Sequence, residues 1–183
     1  STTESGCVDS DEYVTASASG VMVRSKNGVV VLDLDGDGSE QTGWTVHYFH
    51  IGTEGRIPVG TQVASGDVIG YASCEGGVTS GTHFHIARRY NGVWIGAGGS
   101  IPFNLGGWIA ASYGTVYDGT LTKDGKTVEA YDGRADFKNP GCRVQMQEDS
   151  DEILRIPGED GDMVLLGLKV DTPKTGVQRP VMA

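Results

Sequence analysis

Apolar and polar residues follow one another in short runs along most of this chain, and glycine interrupts the runs every few residues. Runs rich in Val, Ile, Thr and Tyr between turn signals predict strands rather than helices. Residues 13–16 open the first strand, and 20–24 continue it past a corner of small residues. Lys26-Asn27-Gly28 carries the Asn-Gly hairpin signal, so 29–34 folds back on that strand. Further strands are predicted at 44–51, 58–63, 66–70 and 82–89, with 90–94 turning back from the last. Residues 100–131 add more, including a hairpin at Lys123-Asp124-Gly125-Lys126. No stretch holds a helical period, and the expected class is all-β, mainly antiparallel.

The pattern also divides the chain. Residues 1–12 read as a polar, acidic loop, 13–135 as a β domain with strands appended after 95, and 136–183 as an acidic, loosely structured extension. One strand is predicted at 163–170, and the tail from Asp171 has little to bury. The start at Ser1, with no initiator Met, reads as that of a processed or partial chain.

Composition changes this picture in three ways. The chain's 183 residues suffice for one buried core, and 29 of them are glycine, more than double the usual share of about 7%. A formal charge of -10 argues against nucleic acid and anionic lipid as partners, and no apolar run is long enough for a membrane span. Cys7, Cys74 and Cys142 show no CxxC spacing. They suit one disulfide in an exported protein, with Cys7–Cys74 the expected pair and Cys142 free or paired outside the chain; three reduced thiols are the alternative.

The chemistry concentrates in four histidines in two clusters, His47-Tyr48-Phe49-His50 and His83-Phe84-His85. Residues two apart on a strand share a face, so His83 and His85 present two imidazoles side by side, one able to hold a metal and the other to move a proton. The same alternation groups Thr45, His47 and Phe49 on one face, and Val46, Tyr48 and His50 on the other. His47 then reads as a strand residue without a catalytic role.

The order of motifs is specific. Ala16-Ser17-Ala18-Ser19-Gly20-Val21 is followed by Tyr48-Phe49-His50-Ile51, Val59-Gly60-Thr61-Gln62-Val63, Gly66-Asp67-Val68-Ile69-Gly70 and Ser80-Gly81-Thr82-His83-Phe84-His85-Ile86. From about Tyr13 to Trp94 the chain resembles the M23 family of zinc endopeptidases, the lysostaphin-like or LytM-type domains that cut peptide cross-bridges in bacterial cell walls. The resemblance implies a twisted sheet or barrel-sandwich with His85 as a zinc ligand, His83 as the catalytic histidine facing the zinc-bound water, and His50 beside it steadying the oxyanion. It implies an extracellular or cell-envelope location, cell-wall peptide or peptidoglycan as partner, and the Gly-rich loop 75–81 as a groove wall for Gly- or Ala-containing peptide.

The chain departs from that family at one place. The family draws two more ligands, a His and an Asp, from a motif upstream of the first strands, whereas residues 1–12 hold no histidine and Asp9, Asp11 and Glu12 lie too close to Tyr13 to match. A single ligand cannot build a three-ligand catalytic site. Either a cleaved segment or partner chain supplies the rest, or the domain binds peptidoglycan or regulates a hydrolase without cutting. A third reading is an assembly component whose tail from Gln147 docks a neighbouring subunit.

Two further features stand apart from the histidines. Asp33-Leu34-Asp35-Gly36-Asp37-Gly38 sets carboxylates at alternate positions before glycine, as in the first half of a calcium loop, so Asp33, Asp35 and Asp37 are candidate calcium ligands. Trp44 stands where an EF-hand needs its bidentate Glu, and a solvated Asp-Gly turn is the plainer reading. Tyr90, Trp94, Phe103, Trp108, Tyr113 and Tyr117 follow the histidine pair and read more readily as core than as a stacking groove.

Overall fold

The computed structural model describes residues 7, 10–77, 79, 81–113 and 119–129, together with four strands nearer the C-terminus. Every regular element among the described residues is a strand, as the alternating pattern predicts. The chain opens with β1 (Tyr13–Thr15), β2 (Gly20–Lys26), β3 (Val29–Asp33) and β4 (Trp44–Phe49). It continues with β5 (Gln62–Val63), β6 (Val68–Tyr71), β7 (His83–Tyr90) and β8 (Val93–Ile95). Next come β9 (Asn104–Leu105), β10 (Trp108–Ser112), β11 (Gly119–Lys123) and β12 (Lys126–Glu129). The last four are β13 (Arg143–Gln147), β14 (Ile156–Gly158), β15 (Gly161–Met163) and β16 (Gly167–Asp171).

The main sheet is open, ordered β13-β16-β7-β4-β3-β2-β5, with β8 paired to the far half of β7. All its pairings are antiparallel; β2–β3 and β7–β8 join by two-residue turns, and the Asp-rich loop links β3 to β4. Asn27 and Gly28 both adopt positive φ between β2 and β3, as the hairpin signal predicts. Asp124 and Gly125 do the same between β11 and β12.

One face of the main sheet carries the larger core. Val30, Leu32, Val46, Tyr48, Phe84 and Ile86 pack there against Val14 and Ile69 of the two-stranded β1–β6 sheet with Ala72 just beyond it, and against Phe103 and then Leu105, Ala110 and Leu121 of a four-stranded appended sheet ordered β12-β11-β10-β9. Tyr48 stands in this core with its hydroxyl 2.7 Å from both the backbone N–H and the hydroxyl of Ser17. Burial pushes that hydroxyl up to about 12, so it stays a neutral hydrogen-bonding group that ties the Ala16–Gly20 corner to the sheet. The opposite face carries a smaller cluster, Val29, Val31, Phe49 and Ala87, with Trp94 against it.

Two strands differ from the sequence expectation. The run at 58–63 pairs only over Gln62–Val63, because Thr61 turns back to bond the Pro58 carbonyl and Gly60 takes a positive φ. The single strand expected at 163–170 is two, with Met163 ending β15 opposite Ile156 and Gly167 opening β16 beside β7. Asp171, read from sequence as the start of the tail, is the last residue of β16. Cys142 and Tyr117 lie outside the described residues.

Candidate active site

β7 carries His83 and His85 on the face of the smaller cluster, where the His85 ring stands 5.7 Å from that of Phe49 and His85 pairs Phe49 across the ladder. Both histidines are buried. His50 joins them by a route that strand alternation misses. β4 ends at Phe49, and His50 adopts φ 61, the left-handed region that costs a side-chain-bearing residue about 1 kcal/mol or more. That turn breaks the alternation that would set His50 beside Val46 and Tyr48. Its ring lies 4.4 Å from the ring of His83 instead. The face assignment read from sequence is corrected, and the pairing of His50 with His83 implied by the resemblance is what the geometry shows.

The strained corner is held from several sides. The His50 carbonyl accepts hydrogen bonds from the Ser73 N–H (2.7 Å) and hydroxyl (3.0 Å), while the Ile51 N–H donates to the Gly28 carbonyl. His50 Nδ1 donates to the Glu75 carbonyl at 2.8 Å, and His83 Nδ1 donates to the Gly81 carbonyl at 2.7 Å. A carbonyl can only accept, so each ring carries its proton on Nδ1 and leaves Nε2 as its basic atom. Backbone carbonyls orient ligand and catalytic histidines in the same way.

The 74–77 loop is itself fixed. Glu75 accepts hydrogen bonds from the Thr53 N–H and hydroxyl, both at 2.6 Å, with Arg56 at 3.4 Å. Burial alone would raise its carboxyl, but the Thr53 hydrogen bonds and the Arg56 charge outweigh it and hold it below the ordinary range. Cys74 is bonded to Cys7, the pair expected from sequence. Gly28 and Gly76 let the hairpin turn and this loop meet backbone to backbone: a Cβ on Gly28 would stand 2.6 Å from the Glu75 carbonyl carbon, and one on Gly76 would stand 2.3 Å from the Asn27 oxygen. The Asn-Gly turn therefore buttresses the carbonyl that orients His50. Sequence reading found the turn but had no signal for this second role.

His47 is fully buried between Phe49 and Trp94, with Nε2 3.1 Å from the Thr45 hydroxyl. Burial, then the Arg89 and Arg24 charges, hold its pKa well below the usual value. The unfolded chain therefore binds a proton near pH 6.5 that the folded chain refuses. Stability is complete above that pH and falls as pH drops towards the lowered value, by up to about 1.4 kcal/mol per pH unit from this group. Urea titrations from pH 7.5 to 5 should show that slope in the wild type and a shallower one, by one proton, in His47→Gln. Equal slopes would contradict the assignment.

The three aspartates also converge. One carboxylate oxygen from each of Asp33, Asp35 and Asp37 lies within 4.8 Å of the others. Asp33 is buried and accepts N–H bonds from Asp35, Gly36 and Gly38. Burial alone would raise its pKa, but the Gly38 N–H, the Asp35 side chain and the other two N–H groups bring it below the ordinary value; the same contact with Asp33 pushes Asp35 up.

Of the aromatic residues after β7, Phe103 is buried in the core, Trp108 packs against it, and Trp94 covers the smaller cluster. Tyr90 and Tyr113 are exposed. Arg88 was not singled out from sequence, although alternation along β7 places it on the core face beside Phe84 and Ile86. It is buried, and its guanidinium donates to the carbonyls of Gly96, Ile101 and Pro102 while lying over Trp44 and Phe103.

No protein-family model matches the chain, and no curated protein matches it. Among solved structures it is similar to one described as a novel M23 metalloprotease, pseudoalterin, from the deep sea. The two are 20% identical, the match covers 70% of this chain and 76% of that one, and the TM-score is 0.52. The fold is thus M23-like and all-β.

The donors at the histidines fit zinc in kind, since neutral imidazole with an oriented Nε2 is a standard zinc ligand. They fall short in number. Among the described residues the one group of three His, Cys, Asp or Glu side chains close enough to share an ion is the aspartate trio, not the histidines.

Proposed function

We propose that the chain is an M23-like zinc endopeptidase domain of an exported bacterial protein, acting on cell-wall peptide cross-bridges. The observation that carries this reading is the His50–His83 pair: two imidazoles 4.4 Å apart, each with Nδ1 held by a backbone carbonyl, beside His85 on an M23-like sheet. A structural histidine has no need of a partner imidazole or of a left-handed backbone to reach one. The Cys7–Cys74 disulfide supports an extracellular or cell-envelope location.

In this reading His85 would be one of the residues that hold zinc, and a bound zinc would supply an acidified water and polarisation of the scissile carbonyl. His83, proton on Nδ1, accepts the water's proton at Nε2 and passes it to the leaving amine. His50 has the same tautomer, so it donates to an oxyanion from Nε2 only when protonated; as a neutral ring it is a second acceptor. Hydrolysis of purified sacculi should be chelator-sensitive, and His83→Ala should lower its rate by about 10²–10⁴-fold without unfolding the protein. Retention on sacculi that survives both chelator and His85→Ala, with no cleavage, would instead favour a peptidoglycan-binding domain. That second reading draws on the shortage of metal donors among the described residues.

Calcium at Asp33, Asp35 and Asp37 is a separate part of the reading, supported by the convergence of the three carboxylates. Calcium at tenfold over its Kd should stabilise the fold by about 1.4 kcal/mol, with no gain in Asp37→Ala. An equal shift in that variant would contradict it.

A further inference from the structure

We propose that Glu75 is a positioning residue for His50: its carboxylate clamps the 53–56 turn, while its own backbone carbonyl fixes the proton of the His50 ring. The inference rests on the hydrolytic reading above and deepens it, because it concerns the imidazole pair and no metal ligand. His50 needs outside support. Its backbone, at φ 61, is strained for a residue with a side chain, and such strain persists only where the surroundings over-determine it. Glu75 supplies that support through its carbonyl, its N–H and its carboxylate alike. The carbonyl accepts a hydrogen bond from His50 Nδ1 at 2.8 Å. The N–H donates to the Ser73 hydroxyl at 3.0 Å, and that hydroxyl donates in turn to the His50 carbonyl at 3.0 Å. These contacts close a ring that grips the His50 side chain and backbone together.

The carboxylate extends the grip to the residues that follow His50. It accepts from the Thr53 N–H and hydroxyl, both at 2.6 Å. Arg56 Nη1 lies 3.4 Å from Glu75 Oε2 and donates to the Ile51 carbonyl at 2.9 Å, while Nη2 donates to the Thr53 hydroxyl at 3.3 Å. Gly76 and Gly77 come next in the chain, and glycine leaves the backbone more freedom than any other residue, so the anchor at Glu75 is what aims its carbonyl. The Glu75 side chain is itself 42% exposed, and an exposed ion pair is worth little to overall stability. Its contribution is geometric. Without the carboxylate the carbonyl remains in the chain but is no longer aimed at Nδ1, and the ring can carry its proton on either nitrogen.

The experiment reads the His50 tautomer in the whole chain without added metal, by long-range 1H–15N NMR correlation at about pH 8, above the ordinary histidine pKa of about 6.5. Circular dichroism is the folding check. The wild type should show His50 protonated at Nδ1 alone. Glu75→Ala should show both tautomers at His50, while His83, held by the Gly81 carbonyl, keeps its proton on Nδ1. Glu75→Gln retains an acceptor for Thr53 and should restore the single tautomer. Thr53→Val removes the hydroxyl that bridges Glu75 and Arg56; it should also give both tautomers, and it decides the matter if Glu75→Ala fails to fold. On purified sacculi Glu75→Ala should be slower by about 10–100-fold, the cost typical of losing a residue that orients a site histidine, and Glu75→Gln should recover most of the rate. A folded Glu75→Ala whose His50 stays wholly protonated at Nδ1, or that cleaves sacculi as fast as the wild type, overturns the inference. A wild type that cleaves nothing overturns the hydrolytic reading, and the His50 tautomer still decides the positioning.

Discussion

Replacing Arg88 by leucine is expected to destabilise the protein by at least about 3 kcal/mol, because it strands three carbonyls that now share one buried cation. Leucine matches the apolar surroundings of β7, so the loss isolates the hydrogen bonds rather than hydrophobic burial. The guanidinium organises residues 96–102, whose backbone curls around it between β8 and the appended sheet; the Phe103 N–H then closes back onto the Ala97 carbonyl. Arg88→Lys should recover little, since a single ammonium cannot reproduce the planar fork or its placement over Trp44 and Phe103. Urea unfolding of both variants reads the effect directly. A loss below about 1 kcal/mol in Arg88→Leu would show that the three carbonyls find other donors.

Removing the Cys7–Cys74 bridge is the other large expected effect. The bond closes a loop across a sequence separation of 67, and the loop-closure model gives about 4 kcal/mol for that length. Its consequence is not confined to stability. Cys74 precedes the residue whose carbonyl fixes the His50 tautomer, so freeing it should loosen that corner ahead of the rest of the sheet. The paired variant Cys7→Ser/Cys74→Ser should unfold at lower urea by that amount, and its His50 ring should show faster exchange by NMR while Tyr48 stays rigid. A variant within about 1 kcal/mol of the wild type would mean that the unfolded chain gains little freedom.

These outcomes track what the sequence makes legible. Alternation and Asn-Gly turns reveal the strands from Tyr13 to Glu129, because antiparallel hairpins with one core face write their register into local pattern. The histidine pair on β7 is legible for the same reason. His50 is not: a positive φ at a histidine has no local signal, and alternation then assigns the wrong face. The carbonyls of Glu75 and Gly81 are equally silent, since a backbone acceptor can sit beneath any side chain. Arg88 could have been found by trusting the period of two over the expectation that arginine lies outside. The extent of β16 is not legible because its pairing partner, β7, lies about eighty residues earlier, a non-local pairing that local pattern does not contain.

In the proposed function His50, His83 and His85 form a metal-dependent hydrolytic site on this M23-like fold. Elemental analysis of zinc in the protein isolated from its native source, without chelator, tests it most directly. Close to one zinc per chain is expected, falling to background in His85→Ala that remains folded. A folded wild-type protein that carries no zinc and takes up none on incubation would contradict it, and would leave the three histidines a buried cluster in a binding domain.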